Sequence, residues 1–94
     1  MKTVFKYELA SEIEMPEGAE ILSLHSQRDM AYIWALVNPE ARMIKRHFLI
    51  LGTGHPVPQD GELRKEKFVG TILVQHGSLV FHVWEVEVEH SCMS

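Results

Sequence analysis

Leu79-Val80-Phe81-His82-Val83-Trp84-Glu85-Val86-Glu87-Val88 decides the fold. The second half alternates strictly, which predicts Trp84, Val86 and Val88 inward and Glu85, Glu87 and Glu89 in water. The first half, residues 79–84, is apolar on both sides of a two-residue period. A strand apolar on both faces has to be covered on both, by a second sheet or by a neighbouring subunit. The stretch therefore predicts an all-β domain and a homo-oligomer. Just before it, His76-Gly77 joins Phe68–Gln75 to Ser78–Val88 and reads as a two-residue hairpin turn, with glycine where positive φ is needed.

The same period runs back towards the N-terminus. Val4, Phe5, Tyr7 and Leu9 predict a strand near residues 3–9, and residues 21–27 a second with Ile21, Ser23 and His25 opposite Leu22, Leu24 and Ser26. After the polar connection Gln27-Arg28-Asp29-Met30, residues 31–37 place Tyr32, Trp34 and Leu36 on one face. Asn38-Pro39-Glu40 stops that strand, because proline cannot donate to a ladder. Residues 43–51 alternate Ile44, Arg46, Phe48 and Ile50 against Lys45, His47, Leu49 and Leu51. Residues 10–18, rich in acids and ending in Pro16-Glu17-Gly18, read as a loop. The sum is one all-β domain over residues 1–94, a small antiparallel sandwich or partly open barrel of about six strands. The set Tyr32, Trp34, Phe48, Phe68, Phe81 and Trp84 reads mostly as core.

Composition narrows the function classes. The chain has 94 residues, 46% of them hydrophobic and 23% charged, with a formal net charge of -4. Those fractions describe an ordered globular domain and not a disordered one. The negative charge argues against duplex nucleic acid as a partner, since phosphate neutralisation dominates that affinity. The single cysteine, Cys92, forms no intramolecular disulfide and fits a reducing compartment. No apolar run reaches the roughly 20 residues that span a bilayer, and the N-terminus has no apolar targeting core. A soluble protein without membrane contact is expected.

The candidate site begins where residues 43–51 end. Gly52-Thr53-Gly54-His55-Pro56 opens a long polar loop, and its glycines permit positive φ. Such a turn can aim several N–H groups at one point and hold an anion. His55 would then add a donor. The plainer reading is a turn leaving a strand, with His55 capping a carbonyl. The segment is not a phosphate-binding P-loop, because no Gly-Lys-Ser/Thr and no helix follow. Arg46 and Arg64 are candidate charged partners for the anion, and Trp84 could stack on a base. The six histidines lack the close ligand pairs of zinc sites, so no metal and no cofactor is expected. Glu85, Glu87 and Glu89 read as a solubilising face, and no nucleophile–base spacing supports an enzyme.

Several blocks together resemble a family of short proteins of tailed bacteriophages and prophages. They are Lys6-Tyr7-x-Leu9, Met15-Pro16-x-Gly18-Ala19-x-Ile21-Leu22, Trp34-Ala35-Leu36-Val37-Asn38-Pro39, Phe48-x-Ile50-x-Gly52-Thr53-Gly54-His55-Pro56, Phe68-Val69-Gly70-Thr71 and Leu79-Val80-Phe81-His82-Val83-Trp84-Glu85. The resemblance covers residues 5 to 86 and implies a viral origin and the cytoplasm of a bacterial host, with no activity and no catalytic residues to carry over. It draws Thr53, His55 and His82 together as a possible cluster. The leading expectation is a non-enzymatic accessory protein that antagonises a host defence system by sequestering a small anionic nucleotide-type ligand. It would do so through Gly52, Thr53, Gly54, His55, Arg46, Arg64, His82 and Trp84. The alternatives are a protein that inhibits a host enzyme through an exposed strand or the apolar hairpin, a virion structural protein, or a small hydrolase.

Overall fold

The computed structural model describes residues 1–57 and 67–87. Seven strands account for about two thirds of them: β1 (Thr3–Glu8), β2 (Glu12–Pro16), β3 (Glu20–Gln27), β4 (Met30–Val37), β5 (Met43–Gly52), β6 (Phe68–Val74) and β7 (Leu79–Val86). They form two antiparallel sheets, of three strands in the order β1-β4-β3 and four in the order β2-β5-β7-β6. The all-β sandwich is as expected, and the sheets do not close into a barrel.

The core lies between the sheets. Ile33, Ala35 and Val37 of β4 meet Ile13 and Met15 of β2, Phe48 of β5 and Val83 of β7, all buried. Tyr7 packs against the rim of this core; its hydroxyl is buried without a hydrogen-bond partner among the described residues, and burial pushes its pKa up.

Four features depart from the sequence reading. Residues 10–18 are not all loop: β2 pairs with β5, Met15 opposite Ile44, and adds a seventh strand. The orientation of β7 is reversed. Val83 is fully buried, so Phe81, Val83 and Glu85 face the other sheet, while His82, Trp84 and Val86 face away from it. Residues 88–89 lie outside the described residues. In β3 a register irregularity between Ile21 and Ser23 breaks the alternation, so Ile21 and Leu24 both pack on the core and Leu22 stays exposed. Of the aromatic set, only Phe48 is buried in the core.

The turn between β6 and β7 also differs. Val74 pairs with Leu79, so the loop is Gln75–Ser78, four residues long, with Gln75, His76 and Gly77 all at positive φ. An acceptor from the other sheet holds it there. Asp29, itself at positive φ in the β3–β4 turn, accepts through Oδ1 from the Gln75 and His76 amides. One hairpin tip thus clamps another. Asp29→Ala should cost about 1 kcal/mol, since both amides can turn to water. It should also raise amide exchange at Gln75 and His76 well above that of mid-strand amides. Unchanged exchange there would show that the clamp holds nothing.

Ion pairs at the surface add little. Arg42 bonds Glu17 at 3.0 Å with both side chains more than half exposed. The guanidinium holds the Glu17 carboxyl below its usual range. The small stabilisation is therefore present above that range and fades as pH falls through the lowered value.

Candidate functional site

Gly52-Thr53-Gly54-His55 is a tight turn with its own hydrogen bond. The His55 N–H donates to the Gly52 carbonyl at 3.0 Å, and Gly54 takes φ of 89°. Positive φ at the third position is what a type II turn requires of glycine. The Thr53 N–H donates to the Val80 carbonyl at 3.4 Å. Two of the loop's amides are thereby occupied within the chain and do not converge on an anion. Gly52 has a different reason to be glycine. A Cβ there would come within 2.9 Å of the His55 ring, which folds back over the Gly52 backbone.

The three residues expected to cluster divide accordingly. Gly52 pairs with Phe81 on the inner side of the sheet, and the His55 ring lies where the Gly52 Cβ would stand. Thr53 and His82 meet elsewhere, on the outer side. Thr53 Oγ1 is 2.7 Å from His82 Nε2, and Thr71 Oγ1 is 3.0 Å from Nδ1. The imidazole is held between two hydroxyls, and in its neutral form one nitrogen donates while the other accepts. A hydroxyl so close to an imidazole has the separation of a nucleophile and its base. Here, however, the far nitrogen meets a threonine, not an orienting carboxylate, and the group sits on an open sheet face. Among the described residues no three His, Cys, Asp or Glu side chains gather into a metal-binding group. Arg64 lies outside the described residues.

Arg46 is placed differently from the other cations among the described residues. It follows the core alternation of β5, two residues from Phe48, so its side chain enters between the sheets. There Nε and Nη2 donate to the two carboxylate oxygens of Glu85 at 2.6 and 2.8 Å, and Nη1 donates to the Ala19 carbonyl at 2.6 Å. This fork-to-fork pair is 15% and 22% exposed and raises the Arg46 pKa still further, so the guanidinium is always charged. Three of its five N–H groups are used in these bonds.

The pair forms one wall of a cleft of about 280 Å³ where β3 meets β6 and β7. Ile21, Leu22 and Val69 add apolar walls, Lys67 a second cation and Phe68 an aromatic lip. Trp84 supports that lip from the neighbouring strand, its ring centroid 5.0 Å from that of Phe68. Among the described residues the lining has two cations and one carboxylate, and Lys67 is the cation that Glu85 does not pair.

Family comparison places this arrangement in context. The chain belongs to the family described as Domain of unknown function (DUF7352), matched over residues 1–92. No curated protein and no solved structure matches it.

Of the residues expected at a site, then, the fold brings Arg46 to a cleft with Trp84 behind its lip. It joins Thr53 to His82 on another surface, and leaves His55 apart from both. Glu85, Lys67 and Phe68 were not anticipated. A signal for Glu85 did exist, because Arg46 interrupts the apolar series Ile44, Phe48 and Ile50, and a cation in a core series demands an acid from a facing strand.

Proposed function

We propose that this protein is a non-enzymatic binding protein that holds a small organic anion in the cleft beside Arg46. We further propose that it acts in a bacterial host cell by sequestering that ligand from a host defence system. The observation that carries the binding reading is the fixed guanidinium in a cleft whose described lining holds two cations and one carboxylate, with Lys67 and Phe68 at its mouth. A guanidinium held by three hydrogen bonds does not have to be ordered when a ligand arrives, so less conformational entropy is lost on binding. The cleft volume falls near the lower end of small-molecule sites, roughly 300–1,000 Å³. That favours one phosphate or carboxylate on a compact planar body, up to a mononucleotide, over anything the size of a dinucleotide. The resemblance to short phage proteins supports the cellular setting.

Thermal unfolding with inorganic phosphate and with adenosine monophosphate tests the reading. A ligand at a hundred times its Kd stabilises by about 2.7 kcal/mol, which raises Tm by roughly 10–20 °C in a domain of this size. Lys67→Glu, an exposed charge reversal, should abolish the shift without lowering the Tm of the free protein. If neither probe moves Tm at millimolar concentration, and native mass spectrometry of protein purified from its host finds no retained small molecule, the cleft is not an anion site.

A further inference from the structure

Two ladders slip at the same place. In β3 the register with β4 passes from Ile21 opposite Ala35 to Ser23 opposite Trp34, which leaves Leu22 without a partner. In β6 the register with β7 passes from Phe68 opposite Trp84 to Gly70 opposite Val83, which leaves Val69 without one. The two strands are edges of different sheets, and they lie against each other where Leu24 comes 3.5 Å from the position of a Gly70 Cβ. Both slips line the cleft that holds Arg46, through Ile21, Leu22 and Ser23 on one side and Phe68 and Val69 on the other. Bulges of this kind cluster at sheet edges and beside binding sites, where they re-aim the chain. The core does not require the one in β3. Without Leu22, which is 50% exposed, Ile21, Ser23 and Leu24 would alternate regularly with the same two residues packed inward.

The ladders also fix where the backbone groups of these segments point. Opposite residues of an antiparallel pair alternate between those that exchange both N–H···O bonds and those whose groups face away. The Leu9 N–H donates to the Ala31 carbonyl, so in β4 the backbone of Ala31, Ile33 and Ala35 bonds β1 and that of Tyr32 and Trp34 bonds β3. Ile21 stands opposite Ala35, and its N–H and C=O therefore leave the free edge of β3. The Thr53 N–H donates to the Val80 carbonyl, so in β7 the backbone of His82 and Trp84 bonds β5. Phe68 stands opposite Trp84, and its N–H and C=O likewise leave the free edge of β6. No ladder joins β3 to β6, and among the described residues no turn or loop bond reaches Ile21 or Phe68.

An extended residue turns its N–H and C=O to the same side, a donor beside an acceptor. Its complement is a planar group with an acceptor beside a donor. A nucleobase edge is such a group: adenine sets its amino group next to a ring nitrogen. Sugar hydroxyls rotate and hold no fixed pair. We infer that, with the anionic group beside Arg46 as proposed above, the body of the ligand is a nucleobase read by the outward backbone groups of Ile21 and Phe68. Main-chain groups, unlike a flexible side chain, are already ordered before the ligand arrives, so fixing them costs little. The slips at Leu22 and Val69 set those groups at the cleft.

The test is calorimetric titration of the full chain with adenosine monophosphate, with purine riboside monophosphate, which has hydrogen in place of the amino group, and with ribose 5-phosphate. Affinity should fall about tenfold or more from the first to the second, within what one bidentate base contact discriminates. Ribose 5-phosphate should bind weakest. Phe68→Pro and Phe68→Ala both remove the ring, but only proline removes the N–H, and proline is tolerated on an edge strand whose N–H faces away from the ladder. Phe68→Pro should therefore bind adenosine monophosphate more weakly than Phe68→Ala. Should the proline variant fail to fold, the wild-type amide proton resonances of Ile21 and Phe68 give the same reading. They should move downfield with adenosine monophosphate and stay in place with ribose 5-phosphate. Equal affinity for the nucleotide and its desamino analogue, equal binding by the two Phe68 variants, or ribose 5-phosphate binding as tightly as the nucleotide overturns the base reading and leaves the anion site standing. Binding of none of the three removes the anion site itself, and the base reading with it.

Discussion

Arg46→Ala should lower the free energy of unfolding by about 3 kcal/mol, the lower end of the cost of breaking a buried ion pair. Three acceptors lose their donors at once: both oxygens of Glu85 and the Ala19 carbonyl. The Glu85 carboxylate, 22% exposed, keeps its charge between the sheets without a counter-ion. The lower end applies because some water reaches the pair. A domain of 94 residues has about 5–14 kcal/mol in all, so the loss is a large share. Glu85→Leu alone should also destabilise, by stranding the guanidinium. The double variant Arg46→Leu with Glu85→Leu should recover most of the loss, because a buried ion pair replaced by apolar groups of similar volume is close to neutral. A coupling energy of about 2 kcal/mol between the two sites is expected from urea unfolding at constant m. If each single change costs under 1 kcal/mol and the two costs add, the pair does not hold the sheets together. Anion binding in the cleft should fail in the Arg46 variants even where the fold survives.

The pair also shows where sequence reading succeeds and where it stops. Period two located six of the seven strands within a residue or two, since it needs only local alternation. It did not say which face of β7 is inward, because residues 79–84 are apolar on both. The choice is made by register with β5, which sets Val83 opposite Ile50 and Glu85 opposite Phe48 on the inner side. Register between strands more than thirty residues apart is not written in either strand alone. The alternation of valine with glutamate invited the wrong choice, because an inward glutamate is costly unless an arginine waits for it, and one does. The glycine turn was legible as a turn and over-read as an anion site. Whether its amides are free depends on the Val80 carbonyl, a residue of another strand. The Thr53–His82 contact was foreseen in part, as two residues of shared blocks, whereas Thr71 and the outward direction of the triplet come from the β6–β7 register.

Residues 10–18 give the sharpest contrast between the two readings, and Met15→Ala decides between them. Read as a loop, the segment would leave Met15 at the surface, and truncation would cost less than about 0.5 kcal/mol. In the structure Met15 is 0% exposed, stands opposite Ile44 in the β2–β5 ladder and belongs to the central cluster with Ile33, Val37 and Phe48. Removing a buried methionine side chain costs about 2–5 kcal/mol, transfer and cavity together. Methionine is flexible and its neighbours can partly close the gap, so about 3 kcal/mol is the expected loss. Glu14→Ala, one residue away and exposed on the outer side, should change stability by less than about 0.5 kcal/mol. The strong alternation between adjacent positions is the signature of a strand buried on one face, and no loop produces it. The pattern was present as Glu12-Ile13-Glu14-Met15, but Pro16 and Gly18 marked the segment as a turn. Both marks are compatible with a short edge strand. Proline is tolerated where β2 ends, and Gly18, at φ of 83°, makes the turn that carries the chain into β3 in the other sheet. Equal and small effects at Met15 and Glu14 would remove β2 from the fold, and with it the wall that closes the core beneath Arg46.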